Sequence, residues 1–170
     1  MRIPATVLLA SLAFSAHALD VPVEAINADG TSTSIGTINL SDTKYGTLIT
    51  PNLNSLPPGL HGFHLHDKPS CAPGVKDGKT MAGMGAGGHF DPSHSGKHEG
   101  PYGSGHMGDL PPLFVDNDGH ATQPVLAPRL KVEDFPGHAL MIHAGGDNLT
   151  DQPALGGGGA RIACGVVSGT

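Results

Sequence analysis

The chain has 170 residues, enough for one domain with a core of ordinary size. Its hydrophobic content of 38% excludes a mainly disordered protein, and a formal net charge of -6 argues against nucleic acid or an anionic membrane as its main partner. The 26 glycines and 15 prolines favour many short strands joined by turns, whereas 11 histidines are unusually many beside 9 lysines and arginines.

The first residues have the features of an export signal. Arg2 gives a positive start, a short apolar run follows, and AHA at residues 16–18 has the small-residue pattern of a cleavage site. The apolar run is short for a bilayer span. We therefore predict a signal peptide over residues 1–18 and a mature domain over residues 19–170, with a buried N-terminal helix as the alternative.

Strand-like runs separated by turn residues follow the predicted signal, and no convincing amphipathic helix is present. In chain order the runs are VPVEAI (21–26), TSTSIGTINL (31–40), TLITPNL (47–53), LHGFHLH (60–66), a hairpin PLFVDNDGHATQPVLA (112–127), HALMIHAG (138–145) and RIACGVV (161–167). Asp118-Gly119 is the predicted bend of the hairpin. Seven or eight strands predict an all-β fold, either a Greek-key β-sandwich or a flattened eight-stranded barrel.

Two long segments, residues 67–109 and 144–160, lack strand character. Loops of this length in a compact domain are usually functional or disordered. The first contains four histidines, so we interpret it as functional. The run LGGGGA at the end of the second segment is interpreted as a flexible, closely packed loop.

The stretch HGFHLH concentrates three histidines in six positions. Side chains two apart on a strand point to the same face, so His64 and His66 share one face. His61, Phe63 and Leu65 share the other face, which is predicted to pack into the core. We therefore interpret His64 and His66 as metal ligands and His61 as a hydrogen-bonding structural residue.

The long loop adds further histidines at 89, 94, 98 and 106, and Asp109 follows them. Three histidines and a carboxylate make a reasonable four-coordinate zinc site, and a bound metal would order this polar loop. The alternative is a solvated histidine-rich loop. His143 lies at a strand end, where a histidine is more often an ordinary core residue.

The chain has two cysteines, Cys71 and Cys164. Export would place them in an oxidising compartment, where an even pair is most simply a disulfide. Two free buried thiols are the alternative.

The ordered motifs HGFHLH, AGGHFDP, KHEGP, GHMGDLP, MIHAGGDN and LGGGGARIACGVV resemble the copper-zinc superoxide dismutase family, in its bacterial periplasmic branch. The resemblance covers nearly all of the predicted mature chain. It implies one copper ion and one zinc ion per chain, a periplasmic location, and dismutation of superoxide to dioxygen and hydrogen peroxide.

The resemblance also implies a role for individual residues. The implied copper ligands are His64, His66, His89 and His143, and the implied zinc ligands are His89, His98, His106 and Asp109. Other implied assignments are Asp147 as a link between histidines of the two sites, Arg161 beside copper, and a disulfide between Cys71 and Cys164. His94, His120 and His138 match no ligand and are predicted to lie on the surface.

Two residues are predicted to be catalytic. The Arg161 guanidinium would attract and orient the small superoxide anion, although without the motif a surface salt bridge would be the preferred interpretation. His89 would bridge both metals and pass a proton to the departing peroxide. Lys76 and Lys79 either add local positive potential or are two solvated loop lysines.

Superoxide is the predicted substrate of a monomer or homodimer, and neither nucleic acid nor a membrane is a predicted partner. A copper-delivery protein would also need histidines, but not Arg161 beside an open copper site. A zinc hydrolase would need an open zinc position and a general base.

Overall fold

The computed structural model describes residues 18–169, and its regular structure is almost entirely β-strand. In chain order the strands are β1 (Ala18–Ile26), β2 (Ser32–Thr43), β3 (Gly46–Leu53), β4 (Gly59–His61), β5 (Phe63–His66), β6 (Gly74–Lys76), β7 (Lys79–Met81), β8 (Leu113–Val115), β9 (Val125–Ala127), β10 (Ala139–His143) and β11 (Arg161–Val166). Short 3-10 helices occur at Met84–Ala86, Val132–Asp134 and Ala154–Gly157. Within the described range no helix is long and apolar enough to cross a membrane. The predicted signal peptide lies outside this range, apart from Ala18, which begins β1.

One seven-stranded antiparallel sheet organises the molecule, with the strand order β5-β10-β11-β1-β2-β3-β9. Strand β4 pairs with β8 in a second, two-stranded sheet. Only Gly62 separates β4 from β5, so these two strands form one interrupted strand that belongs to both sheets. Counted in this way, the two sheets contain the eight strands predicted for a flattened barrel. The all-β prediction is confirmed.

The core lies between the sheets and is filled by alternating apolar side chains. Val21 and Val23 of β1 are buried, and so are Ile38 and Leu40 of β2. Phe63 also lies in this cluster and is fully buried. Burial of one such side chain stabilises the fold by about 1.5–3 kcal/mol. The phenylalanine between the histidines therefore anchors β5 in the core, as predicted.

The predicted disulfide between Cys71 and Cys164 is confirmed. It joins the long loop to β11, next to a small apolar cluster that contains Ile26, Ala86 and Met141. The two cysteines are 93 positions apart in the sequence. A closed loop of this length restricts the unfolded chain and stabilises the fold by about 4–5 kcal/mol in the chain-entropy model.

Two expectations about local structure were wrong. The 67–109 segment does contain strands, because β6 and β7 form a small hairpin around Asp77-Gly78, where both residues have positive φ. The Asp-Gly pair was a visible hairpin signal in the sequence. The predicted 112–127 hairpin has its turn, with Gly119 N–H donating to Asp116 O, but β8 pairs with β4 whereas β9 pairs with β3. After the turn, the chain pairs with the edge of β3 instead of with β8, and this pairing begins with a bridge between Leu53 and Ala121.

The disulfide gives a direct stability prediction. A Cys71→Ala/Cys164→Ala variant is expected to lose about 2–5 kcal/mol of unfolding free energy, because its unfolded chain is no longer cross-linked. Urea titrations of the metal-free proteins measure this loss, and chemically reduced wild type should match the variant. Identical unfolding midpoints for oxidised wild type and the variant would contradict the prediction.

Candidate metal centre

Strand β5 is the base on which the centre is built. One edge of β5 pairs with β10, and its other edge receives the long loop. Phe90 N–H donates to Leu65 O at 2.8 Å, and Leu65 N–H donates to Gly108 O at 2.9 Å. These bonds place His89 opposite His66 and Asp109 opposite His64. Backbone pairing therefore orders the loop at this point, so a metal is not its sole organiser.

The first group of side chains consists of His64, His66, His89 and His143, all buried, with one candidate ligand atom from each within 4.8 Å of the others. Three of them have one ring nitrogen bonded to an oxygen. His64 Nε2 lies 2.6 Å from Asp147 Oδ2, His66 Nδ1 lies 3.0 Å from Gly87 O, and His143 Nδ1 lies 3.2 Å from Gly159 O. Each N–H is thereby assigned to the bonded nitrogen, which leaves a lone pair on the other.

The unbonded nitrogens provide the test of whether a metal fits. Among the residues the structure describes, the buried side-chain polar atoms without a hydrogen-bond partner are His64 Nδ1, His66 Nε2, His98 Nδ1 and His143 Nε2. Buried polar groups are normally satisfied, so a cluster of unsatisfied ring nitrogens requires another partner. A metal ion satisfies lone pairs that no hydrogen-bond donor reaches, and the three nitrogens of His64, His66 and His143 fit one, whereas His98 Nδ1 faces Asp109 in the second group.

Burial also sets the protonation of this group. Desolvation lowers the pKa of His64 to about 3 and that of His143 to about 4, and it lowers the pKa of His66 well below its usual range. These imidazoles are therefore neutral at pH 7. Their lone pairs are available to a metal without prior loss of a proton.

The second group consists of His89, His98, His106 and Asp109. Three Nδ1 atoms surround Asp109 Oδ1, at 2.9 Å for His89, 3.0 Å for His98 and 3.2 Å for His106. Ligand atoms in a tetrahedral zinc site lie about 3.3 Å apart, given bond lengths of about 2.0–2.1 Å. The three distances to Asp109 Oδ1 are slightly shorter than this spacing, and all four ligand atoms lie within 4.8 Å of one another, as a zinc site of this kind requires.

Asp147 connects the two groups. Its Oδ2 accepts from His64 Nε2, and its Oδ1 accepts from His98 Nε2 at 2.8 Å. Burial raises the pKa of Asp147, but the bonds from both histidines outweigh this effect and lower it below the usual range. Burial likewise lowers the pKa of His98, yet the Asp109 carboxylate 3.0 Å from its Nδ1 and the bond from its Nε2 to Asp147 raise the pKa to about 9. The raised pKa favours the protonated form of His98, so a metal at Nδ1 competes with a proton.

The glycine run after Asp147 has a steric role. Gly156 has a φ of 71°, and a Cβ there would lie 1.9 Å from Asp147 Oδ1. No side chain fits between this backbone and the carboxylate. The sequence LGGGGA thus lets the second long loop close directly over the connection between the two groups.

A cavity of about 240 Å³ opens onto the first group. His89 and His143 line it, together with Arg161 and Lys76. Arg161 lies opposite His143 in the β10–β11 pairing, which brings both residues to the same end of the sheet. Its guanidinium donates to Gly83 O at 2.6 Å and to Gly87 O at 2.7 Å. Among the described residues no carboxylate pairs with Arg161, so the surface salt bridge considered above does not form.

The remaining histidines lie outside both groups. His61 is buried, with Nδ1 2.7 Å from His143 O and Nε2 2.7 Å from Pro57 O, as expected of a structural residue. His94 and His120 are exposed. The surface prediction for His138 was wrong, because it is half-buried with Nδ1 3.0 Å from Asp67 O and its ring against Phe90. Pairing of β10 with β5 brings the start of β10 to this position.

Sequence reasoning missed the acceptors that orient the histidines. The carbonyl groups of Gly87 and Gly159 fix the tautomers of His66 and His143. The glycine-rich runs before His89 and before Arg161 were the sequence feature that could have indicated these carbonyl acceptors. The role of a backbone carbonyl depends on the path of the loop, which side-chain patterns do not specify.

Comparison with known proteins agrees with this geometry. Residues 34–167 match the family model described as copper/zinc superoxide dismutase (SODC). A copper-zinc superoxide dismutase of Salmonella typhimurium is 54% identical over 162 residues, which cover 94% of each chain.

Solved structures give the same result. Copper/zinc superoxide dismutase from Brucella abortus superposes with a TM-score of 0.87 at 45% identity, covering 89% of this chain and 100% of that chain. The monomeric copper, zinc superoxide dismutase from Salmonella enterica has a TM-score of 0.80 at 54% identity, with the same coverage. Matching sequence motifs, fold and clustered ligands together show that the chain belongs to the copper/zinc superoxide dismutase family, whose cofactors are copper and zinc.

Proposed function

We propose that residues 19–170 form a periplasmic superoxide dismutase that protects against extracytoplasmic superoxide. The reaction converts two superoxide ions and two protons into dioxygen and hydrogen peroxide. The observation that carries the proposal is the pair of adjacent ligand groups that share His89, with one group open to a cationic cavity. Family membership supports the same reaction.

The two groups are suited to different metals. We assign copper to His64, His66, His89 and His143, because their cavity gives a small substrate access. We assign zinc to the second group, in which His98 and Asp109 are each only 1% exposed and four protein ligands leave no open position. Bound copper would supply one-electron chemistry, whereas zinc has no redox chemistry and would fix the geometry.

His89 is the proposed link between the metals. Its Nδ1 lies beside Asp109 in the second group, and the same ring is also a member of the first group, so we assign Nε2 to the first group. We propose that both nitrogens serve as ligands in the fully loaded protein. When Nε2 is not held as a ligand it takes up a proton, and from there it can give the proton to the reduced substrate in the cavity.

Asp147 is proposed as the residue that keeps both sites oriented. It accepts the Nε2 protons of His64 and His98, which leaves the Nδ1 atoms of both rings to their respective metals. Carboxylates bonded to ligating histidines fix ring orientation and increase ligand basicity. One carboxylate therefore couples the orientation of one ligand in each group.

Arg161 is the proposed substrate-attracting residue. Two backbone bonds hold its guanidinium in the cavity, where a positive charge attracts and orients a small anion. Lys76 lines the same cavity and adds to this potential. Lys79, on the strand that pairs with the Lys76 strand, is exposed and is proposed to contribute only through the longer-range field.

The location and partners follow from the same considerations. We propose that the 1–18 segment directs export, which is consistent with the disulfide at Cys71 and Cys164. Superoxide is the proposed substrate of a monomer or homodimer. The net charge of -6 does not favour nucleic acid or an anionic membrane as a partner.

Metal reconstitution combined with a superoxide assay tests the proposed function. We expect one copper and one zinc per chain, and catalytic consumption of superoxide over many turnovers, because each group has four candidate ligands, with His89 common to both, and one group opens to the cavity. Elemental analysis and stopped-flow spectrophotometry measure the two quantities, with metal-free protein as the control. Consumption of only stoichiometric superoxide would instead indicate a copper-delivery protein.

Replacement of Arg161 tests the role of its charge. Arg161→Ala is expected to lower the second-order rate by about tenfold or more at low salt, and to weaken its dependence on ionic strength, because one attracting charge near the substrate is lost. Lys44→Met removes the same charge away from the cavity and should have little effect. Metal content should stay unchanged in both variants. Wild-type activity of Arg161→Ala at low salt would refute the role.

A further inference from the structure

One cation lies outside the catalytic cavity and contacts the loop that carries the second ligand group. Arg129 follows β9, and its side chain is half-buried. Its guanidinium donates to carbonyl oxygens only: Nε to Pro101 O at 3.1 Å, Nη1 to Gly105 O at 2.9 Å, and Nη2 to Gly100 O at 3.2 Å and to His106 O. Among the described residues no carboxylate forms an ion pair with it.

The four acceptors come from both arms of one turn. Residues 97–106 form a narrow loop that closes where His106 N–H donates to Lys97 O at 2.9 Å. His98 lies at one end of this loop and His106 at the other, so the loop carries two of the three histidines of the second group. Gly100 and Pro101 belong to the first arm, whereas Gly105 and His106 belong to the second. Arg129 therefore bonds to both arms directly beside the two ligands.

The loop itself is shaped to present these carbonyl groups. A Cβ at Gly105 would lie 2.3 Å from Lys97 O, so only glycine permits the two arms to approach this closely. The approach turns four carbonyl oxygens towards one point. Clustered carbonyl dipoles repel one another and attract a cation, and guanidinium offers five N–H donors in a fixed planar arrangement.

We infer that Arg129 is a positioning residue for the zinc group, because it holds the ligand-bearing loop in its binding conformation before zinc binds. The inference rests on the proposed assignment of zinc to His89, His98, His106 and Asp109. By holding both arms of the loop, Arg129 fixes the spacing of His98 and His106. Less conformational entropy is then lost when zinc binds, and the free energy of zinc binding is more favourable. It touches neither the metal nor the substrate.

Lysine is not equivalent at this position. Its ammonium group has three donors at a single point, so it cannot reach four carbonyl oxygens that surround a planar group. The side chain of methionine retains much of the packing of the arginine stem but has no donor. Arg129→Lys should therefore be intermediate, and Arg129→Met should lack the interaction entirely.

The test compares zinc affinity in Arg129→Met, Arg129→Lys and wild type by competition with a chromophoric chelator. We expect Arg129→Met to bind zinc at least about tenfold more weakly, Arg129→Lys to recover part of the loss, and copper affinity of the first group to change little. Lys131→Met removes an exposed charge two residues further on and should bind zinc like wild type. Co²⁺ in the zinc group should show a shifted visible absorption spectrum in Arg129→Met.

Hydrogen exchange of the metal-free proteins separates positioning from general stability. Amides of residues 97–106 should exchange faster in Arg129→Met, while amides of β5 and β10 keep their protection. Wild-type zinc affinity in Arg129→Met would overturn the inference. Equal loss of protection in the loop and the core would also overturn it, because it would indicate a general structural role. Failure of wild type itself to bind zinc would instead contradict the proposed function.

Discussion

The structure depends on the need to bury several imidazole rings as neutral ligands with every N–H satisfied. A ring in the protein interior loses its hydration, and a bond from one ring nitrogen to an oxygen fixes the lone pair of the other nitrogen towards a metal. The chain meets this need with Asp147 for His64, Gly87 O for His66 and Gly159 O for His143. Each acceptor comes from one of the two long loops.

This requirement explains why the loops are rich in glycine and closely packed. Carbonyl groups can face inward as acceptors only where the backbone approaches the rings directly, and Gly156 shows how little space remains. The rigid sheet supplies His64, His66, His143 and Arg161, whereas the loops supply the acceptors and the second ligand group. The disulfide and the backbone bonds to β5 hold the first loop against the sheet. The fold itself therefore fixes much of the path of this loop around the two groups.

The sequence predicted most of the fold, because alternation along strands reports burial and Gly-Pro turns report strand ends. It also predicted that His64 and His66 share a face and that His61 packs away from it. It did not predict the β6–β7 hairpin, because the Asp-Gly turn lies within a polar segment that lacks the alternation of a strand. It also did not predict that β8 and β9 pair with different strands. Arg129 and His138 were missed because their partners are backbone carbonyl groups, and only the folded path of the loops brings these together.

The central claim is that one ring, His89, joins the two ligand groups through both of its nitrogens. Electron paramagnetic resonance of protein loaded with Cu²⁺ in both groups tests it most directly, with His89→Ala as the matched control. The account predicts magnetic coupling between the two copper ions in wild type at neutral pH, and its loss in His89→Ala. Two independent copper signals in wild type would contradict the shared ligand and the proton transfer proposed for His89 Nε2.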